Sequence, residues 1–393
     1  MKYKLKDIFD LQMGKTPSRN NTEYWNTKDF KWISISDLTK AHGYISETKE
    51  YISERAVSES GIKIIPANTV VMSFKLSIGK TAITSEDMYS NEAIMAFHDK
   101  HVVEILPEYI FYIFKYKKWD EDSNNAVMGN TLNKAILSEA EIEICSIEEQ
   151  RAIVDILDNM MSVLESRGTE LDLLDNLIKA RFVEMFGDPR SNPYGFSKKM
   201  LKDTCKVITG NTPSRSVEEY YGDYVEWIKT DNIVSGLLNP TKASEKLSEE
   251  GMKVGRTVGK DSILMACIAG SIASIGRVCI TDRTVAFNQQ INAVVPEDYN
   301  ILFLYVLLQS SKEYLVEEIN MALKGILSKS KLEGKEFIVP QMELQNEFAD
   351  FVHQVNKSKL LSLIKLLKQL ITYLYNVFII YRQDKGEEVE RHE

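Results

Sequence analysis

Two short loops of the same design contain the side chains of this sequence that are best suited to bind an anion. They read GKTPSR at residues 14–19 and GNTPSR at residues 210–215. Glycine permits an unusual backbone angle, proline fixes the next turn, and threonine and serine supply hydroxyl groups. The closing arginine offers a planar fork of donors that suits a phosphate or the edge of a guanine. A structural turn with a solvated arginine is the alternative for either loop alone, and the presence of two copies favours binding.

Further polar groups follow these loops in the same order in both halves of the chain. Trp32 and Trp227, which we expect to pack in the core, precede polar strings that differ, SISD at 34–37 and KTDN at 229–232. Asn and Gln can bond adenine bidentately, whereas Lys and Arg suit guanine or phosphate. The candidate base- or phosphate-binding residues are Lys15, Thr16, Ser18, Arg19, Ser36, Lys75, Ser77, Lys80, Asn91, Asn130, Lys134, Asn211, Thr212, Ser214, Arg215, Lys229, Thr230, Asn232, Ser271, Ser274, Arg277, Asn288, Gln289, Lys324 and Lys329.

The sequence predicts neither a catalytic residue nor a metal ligand. Residues 74–81 and 9–16 end like phosphate-binding P-loops, but phenylalanine stands where the first glycine belongs. Residues 192–194 read NPY, which lacks the second proline of the amino-methyltransferase motif. The four cysteines form no CxxC pair and no stretch is apolar enough to span a bilayer, so we expect a reduced, cytoplasmic protein away from the membrane.

An internal repeat with an offset of about 196 residues organises the chain. Besides the two loops, SIGK at 77–80 matches SIGR at 274–277, and Asn91 matches Asn288. The matches are collinear, which indicates a tandem duplication. The net charge of −9 is concentrated between the copies, because residues 148–196 hold five basic and ten acidic residues. The larger blocks are near neutral, so each can present a basic face.

A long helix with heptad-spaced apolar residues is predicted at the end of each copy. The alternative for each is a core helix of its own block, but the matched pair favours packing of one helix on the other. The predicted contact positions are Ile153, Leu157, Leu164, Leu171, Leu174 and Ile178 in the first helix, and Leu363, Leu367, Leu370, Leu374 and Val377 in the second.

The predicted fold is α+β, with two tandem-repeat α/β blocks at opposite ends of a pair of long antiparallel coiled-coil helices. The blocks are placed at residues 1–147 and 188–342. The helices are placed at 148–187 and 343–385, and residues 386–393 form a polar tail.

The duplicated frame resembles the specificity (S) subunit of type I restriction–modification enzymes, from about Leu5 to Arg382. The resemblance rests on the two loops, the Trp-Ile strings, SIGK and SIGR, NEAI and NQQI at 91–94 and 288–291, and the Glu-Glu-Gln-Arg start of the first helix. Residues 181–189, RFVEMFGDP, also resemble that family's join between halves. In the second half the Glu-Glu-Gln start has become Glu343-Leu344-Gln345, which departs from the pattern.

The resemblance implies a non-catalytic subunit in which each block is a target recognition domain for one half of a bipartite site in double-stranded DNA. It also implies that the paired helices act as a ruler and hold two methyltransferase subunits, with two restriction subunits added. S-adenosylmethionine, ATP and Mg²⁺ would belong to those partners, and this chain would bind no cofactor.

Two other functions remain open on the sequence alone. One is a DNA methyltransferase with a degenerate adenine-N6 motif, which would bind S-adenosylmethionine as a pure chain. The other is a scaffold with two binding modules on a coiled coil, which would retain no duplex even with its partners.

Overall fold

The computed structural model describes residues 1–25, 27–75, 77–119, 132–317, 319 and 325–384, with side chains described as far as residue 375. The chain divides into two compact units. The first contains residues 1–164 and 367–393, and the second contains residues 165–366.

The first unit begins with a mixed block of short strands and helices. Its elements are β1 (Lys2–Lys4), α1 (Leu5–Ile8), β2 (Phe9–Met13), β3 (Phe30–Ile33), α2 (Ile35–Lys40), β4 (Tyr44–Ile45), β5 (Glu50–Ile52), α3 (Glu54–Ser60), β6 (Val70–Ser73), β7 (Thr81–Thr84), β8 (Tyr89–Ser90), β9 (Ile94–Asp99), α4 (Pro107–Tyr116), α5 (Lys134–Glu139), β10 (Glu141–Glu143) and the start of α6 (Ile147–Phe186).

Two sheets form the body of this block, in the orders β2-β9-β6-β7-β4 and β5-β3-β8. Strand β6 is buried throughout because its side chains alternate between two cores. Val70 and Met72 pack in one core with Phe97, whereas Val71 packs in the other with Ala96. The apolar helix α4 covers the first of these cores.

The second unit repeats this arrangement. After the end of α6, its elements are β11 (Lys198–Met200), β12 (Cys205–Thr209), β13 (Tyr221–Ile228), β14 (Lys246–Leu247), α7 (Glu249–Val254), β15 (Thr257–Val258), β16 (Ile263–Ala266), β17 (Val278–Ile280), β18 (Val285–Phe287), β19 (Ile291–Pro296), α8 (Ile301–Ser310), α9 (Lys312–Val316), α10 (Lys329–Glu333), β20 (Glu336–Ile338) and the first part of α11 (Met342–Asp384). Its sheets run β12-β19-β16-β17 and β14-β13-β18-β15. Strand β16 divides its side chains between two cores as β6 does.

A buried glutamine in the first turn attaches each long helix to its own block. Gln150 accepts a hydrogen bond from the backbone N–H of Leu106 at 2.9 Å and donates to the carbonyls of Glu104 and Cys145. Gln345 accepts from Asn300 N–H at 2.9 Å and donates to a carbonyl at 2.8 Å. Burying these amides is tolerable because both ends are paired.

Within the second unit, α6 and α11 run antiparallel. Arg181 pairs with Glu347 at 3.1 Å, Asp175 pairs with Lys359, and Glu170 accepts from Ser362 at 2.8 Å. The partner number rises along one helix as it falls along the other, which fixes the direction. The two predicted long helices are therefore present, and they pair antiparallel where they share a unit.

The predicted contact row of α6 faces inward. Ile178 is buried, and Leu174 packs against the core of the second unit. Ile153 and Leu157 pack against the core of the first unit. Leu164 and Leu171 are half-buried.

The predicted contact row of α11 is wrong for three residues. Leu363, Leu367 and Leu374 are 46%, 60% and 62% exposed, whereas Leu370 is half-buried and the side chain of Val377 lies outside the described part. The inward side of α11 instead carries a mixed row of apolar and polar residues, namely Val352, Val355, Lys359, Ser362 and Leu366. This row is favoured because Lys359 and Ser362 find acidic partners on α6.

Candidate nucleic-acid interface

Four loops of the first block meet at one end of its sheets. Strands β3 and β8 are parallel, so Ile33 and Ser90 end together. Strands β2 and β6 both run antiparallel to β9, so Met13 and Ser73 end where β9 begins. We call the resulting set of loops, residues 14–19, 34–37, 74–80 and 91–93, loop cluster 1.

Backbone hydrogen bonds tie these loops to one another. Gly14 N–H donates to Ile94 O at 3.0 Å and Lys15 N–H donates to Ser90 O at 2.8 Å. Phe74 N–H donates to Ala93 O at 3.0 Å. Loops that are distant in sequence thus form one surface, which the order of polar strings alone did not reveal.

The second block contains the same set, residues 210–215, 229–232, 267–277 and 288–290, which we call loop cluster 2. Gly210 N–H donates to Ile291 O at 3.0 Å and Asn211 N–H donates to Phe287 O at 3.1 Å. Cys267 N–H donates to Gln290 O at 2.8 Å. The two clusters therefore share a backbone frame.

Arg19 lies between a carboxylate and two indole rings. Its guanidinium donates to both carboxylate oxygens of Glu50, at 2.5 and 3.1 Å. It also lies 3.8 Å from the ring centroid of Trp25 and 4.9 Å from that of Trp32. Trp32 is buried and donates from its indole N–H to Lys15 O at 3.2 Å. The arginine is held in a fixed orientation while half of its side chain stays exposed.

Arg215 is held in the same way in loop cluster 2. It donates to Glu245 at 2.5 Å and lies 4.5 Å from the ring of Tyr221 and 5.2 Å from that of Trp227. The same carboxylate also accepts from Lys229, and these two cations lower the pKa of Glu245. Loop cluster 1 has Ser34 where loop cluster 2 has Lys229, so at this position only the second cluster has a cation.

The threonine of each GxTPSR loop reaches the turn before β9 or β19. Thr16 donates to the carboxylate of Glu92, and Thr212 donates to the side-chain carbonyl of Gln289. Lys15 donates to the Ser60 carbonyl at 2.5 Å, whereas the amide of Asn211 donates to the Val254 carbonyl at 3.0 Å. Of the predicted residues in these two loops, the structure therefore brings Lys15, Asn211, both threonines and both arginines into defined networks.

The third pair of loops brings more of the predicted cations to the clusters. Lys80 donates to the hydroxyl of Thr39 at 2.5 Å. Arg277 donates to the carbonyls of Ser274 and Thr230, each at 3.2 Å. The remaining predicted hydroxyl and lysine groups of the clusters are exposed or half-buried, namely Ser18, Ser36, Lys75, Ser77, Ser214, Thr230, Ser271 and Ser274.

Two predicted binding residues have structural roles instead. Asn232 is buried, accepts from Lys229 N–H at 3.0 Å, and donates to Thr241 and to the Lys242 carbonyl. Asn288 is buried and bonded to Gln290 through both ends of its amide. Since each amide already has partners inside the fold, we remove both from the candidate interface. Asn91, half-buried, accepts from Ala93 N–H at 3.0 Å and shapes the same turn as Asn288.

The last predicted pair of polar stretches is only partly described. Asn130 and Lys324 lie outside the described residues. Lys134 is the first residue of α5, and Lys329, the first residue of α10, pairs with Glu333 at 3.5 Å. Neither lysine belongs to the loop clusters as defined.

Sequence reasoning missed the carboxylates at these sites. Glu50 and Glu245 orient the two arginines, and their offset of 195 residues equals that of the paired tryptophans. A search for acidic residues at the repeat offset finds them. Glu92 lies inside the NEAI string, but residue type alone does not single it out, because an acidic group on a basic surface looks unfavourable.

The described part of the chain shows no cluster of three or more His, Cys, Asp or Glu that could hold a metal ion, and none of its helices meets the length and apolarity needed to cross a membrane. Burial raises the pKa of the Cys205, Cys267 and Cys279 thiols to about 12. A raised pKa favours the protonated thiol at neutral pH, whereas the thiolate is the reactive form.

The family model for the type I restriction modification DNA specificity domain matches residues 1–174 and 193–372. The chain belongs to this family. Its relatives include the MjaIX specificity subunit of a type I restriction enzyme from Methanocaldococcus jannaschii, 26% identical over 94% of this chain and 90% of that protein. The HindI specificity subunit from Haemophilus influenzae is 32% identical over 39% of this chain and 33% of its own length.

Two solved structures share the fold. One is the S subunit of a type I restriction–modification system from M. genitalium, with a TM-score of 0.56 and 13% identity over 97% of this chain and 95% of that chain. The other is a chain from a structure concerning complex assembly and conformational transition of the type I system, with a TM-score of 0.59, 14% identity and coverage of 98% of both chains.

Membership settles the choice among the three functions considered from the sequence. The chain is a non-catalytic specificity subunit with two tandem DNA specificity domains. Such a subunit binds DNA and assembles with the other subunits of a type I complex. The predicted α+β fold with two tandem blocks is confirmed.

Proposed function

We propose that loop cluster 1 and loop cluster 2 each read one half of a bipartite site in double-stranded DNA. In this proposal two methyltransferase subunits bind the long helices, and two restriction subunits complete the complex. S-adenosylmethionine, ATP and Mg²⁺ are bound by those partners, so this chain chooses the site and binds no cofactor itself.

The observation that carries the proposal is a duplicated loop surface with one backbone frame and different side-chain tips. Both clusters hold an arginine between a carboxylate and aromatic rings, and such a fork is suited to phosphate or guanine. Their tips differ, with Ser34 against Lys229 and Glu92 against Gln289. A common frame positions the protein on DNA, whereas differing tips give each block its own sequence preference.

The exposed side of α11 is suited to bind a protein partner. Leu360, Leu363, Ile364, Leu367 and Ile371 are 42% to 60% exposed and follow one side of the helix. A continuous apolar row of this kind is typical of an interface. We assign it to the methyltransferase subunit, because assembly with that subunit is what methylation of a chosen site requires.

Methyl transfer tests the central part of the proposal. The purified chain alone should transfer no methyl group from S-adenosylmethionine to DNA, whereas the chain with its cognate methyltransferase subunit should methylate adenine within one bipartite motif. Methylation by the chain alone at a stoichiometric rate, or motif-independent methylation by the complex, would contradict it.

Charged substitutions on α11 test the assignment of the helix surface. Leu360→Glu and Leu363→Glu should weaken copurification of the methyltransferase subunit at least tenfold without lowering the melting temperature, since both side chains are exposed. Gln354→Glu adds the same charge on the polar side of α11 and is the matched control. Equal binding by all three variants would place the partner elsewhere.

A further inference from the structure

Residues 92 and 289 occupy the same place in the two blocks. Each is the second residue of a turn that begins with an asparagine. The side chain of that asparagine, Asn91 or Asn288, accepts a hydrogen bond from the backbone N–H of the residue two positions later. Each turn is closed by a second bond, from Ile94 N–H to Asn91 O at 3.2 Å or from Ile291 N–H to Asn288 O at 3.1 Å. The two turns thus present residues 92 and 289 in the same way, and both side chains are exposed.

The hydroxyl of the nearby threonine fixes one end of each side chain. Thr16 donates to Oε2 of Glu92, and Thr212 donates to Oε1 of Gln289. The atom left over is Oε1 in Glu92 and Nε2 in Gln289, and neither has a further hydrogen-bond partner within the described part of the chain. One cluster therefore offers an acceptor at this point and the other offers a donor.

The surroundings keep Glu92 an acceptor. The hydrogen bond from Thr16 lowers the pKa of the Glu92 carboxyl, and the nearby charges of Lys75 and Arg19 act in the same direction. The carboxylate is therefore ionised at neutral pH and cannot donate. An ionised carboxylate repels phosphate, so among the groups that DNA exposes it suits only those that donate a hydrogen bond.

In the major groove the donors are the amines of cytosine and adenine. Carboxylates accept from cytosine N4, and a neighbouring lysine can donate to the guanine of the same base pair. Gln pairs with adenine through N6 and N7, using its carbonyl and its amide together. The carbonyl of Gln289 has a second lone pair beside the one that Thr212 occupies.

We propose that residues 92 and 289 are equivalent base-reading positions, at which Glu92 selects a C·G pair in one half-site and Gln289 selects an A·T pair in the other. This inference rests on the proposed function, because it requires the loop clusters to face DNA. Thr16 and Thr212 are positioning residues that aim the two side chains.

Reciprocal substitutions test the inference in the complex of the full chain with its methyltransferase subunit. Methylation rates are measured on duplexes that carry each base pair at each position of the wild-type motif. Glu92→Gln should shift the ratio of rates on A·T and C·G by ~10- to 100-fold at one position of one half-site. Gln289→Glu should produce the opposite shift at one position of the other half-site.

Two further variants separate reading from folding. Thr16→Val should relax discrimination at the same base pair that Glu92→Gln alters and leave the rest of the motif intact. Glu141→Gln makes the same chemical change on an exposed residue of β10, which pairs with Lys4 of β1 and lies outside both loop clusters, and should change nothing.

The outcomes distinguish this inference from the proposed function. If the wild-type complex methylates a bipartite motif but Glu92→Gln and Gln289→Glu leave every rate ratio unchanged, the inference is overturned and the proposed function stands. The inference is also overturned if either variant alters both half-sites. If the wild-type complex shows no bipartite motif, the proposed function itself fails.

Discussion

The two blocks of this chain share one backbone frame at their loop clusters, and many of the side chains on that frame differ. Both bury a tryptophan whose indole N–H donates a hydrogen bond of 3.2 Å to a backbone carbonyl of the GxTPSR loop. In both, the arginine of that loop forms an ion pair with a glutamate. The pair Lys31–Glu86 of the first block has its charges reversed in the pair Glu226–Arg283 of the second. Contacts present in both copies therefore identify the scaffold, and the positions that differ within the loop clusters are the candidates for reading DNA.

The largest expected effect comes from the glycine that begins each GxTPSR loop. A Cβ on Gly14 would lie 2.2 Å from the carbonyl oxygen of Asn91, and one on Gly210 would lie 2.2 Å from that of Asn288. Because the obstacle is backbone, Gly14→Ala and Gly210→Ala should each destabilise their own block by about 3 kcal/mol. Thermal unfolding measures this, and Gly259→Ala, with nothing within 4 Å of its Cβ, is the control. Equal stability of all three variants would contradict the claim that the two blocks share a backbone frame that requires glycine at these positions.

Substitutions of the two buried glutamines should have the next largest effect on stability, and the effect should differ between the two. Gln150→Leu leaves one N–H and two carbonyls without their partner, whereas Gln345→Leu leaves one N–H and one carbonyl. Each should lower the free energy of unfolding by ~1–3 kcal/mol, with the larger loss at Gln150. Denaturant titration compares the two, with exposed Gln354→Leu as the control. An equal loss in the two variants, or a larger loss at Gln345, would show that the number of broken hydrogen bonds does not determine the loss of stability.

Replacing a glycine inside α6 should raise the stability of the fold, whereas the substitutions above lower it. A Cβ on Gly168 would meet no neighbouring side chain or loop within 4 Å, and the repeat offset makes Leu363 of α11 its counterpart in the second copy. Gly168→Ala should raise stability by about 0.5–1 kcal/mol, because alanine loses less backbone entropy in a helix. The melting temperature measures the gain. A loss of stability would mean that α6 requires glycine at this position for packing.

The reversed ion pairs should have the smallest effect. Lys31→Glu places a carboxylate beside Glu86 and Glu47, and should cost about 0.5 kcal/mol because the pair is partly exposed. Adding Glu86→Arg reproduces the polarity of the second block and should restore stability. A double-mutant cycle measures the coupling, and no recovery in the double variant would show that the two polarities are not interchangeable.

The sequence predicted the repeat, both long helices and the burial of both tryptophans, because each is set by local pattern. It did not predict which side of α11 faces inward. That helix has leucine or isoleucine on more than one side, so spacing alone favoured Leu363 and Leu367, whereas ion pairing selects the row of Lys359 and Ser362. Asn232 bonds to Lys229, Thr241 and Lys242, and Asn288 bonds to Gln290. These structural roles depend on the geometry of local turns, which residue type alone does not specify.

The central claim is that each loop cluster reads its own half-site. Replacement of one block tests this claim most directly. Residues 197–342 are exchanged for the matching block of a relative that has a different methylation motif, and the methylome of a host that carries the chimaera and its methyltransferase subunit is sequenced. We predict a motif that keeps one wild-type half-site and acquires one half-site of the relative. A motif altered in both halves, or an unaltered motif, would contradict independent reading by the two blocks.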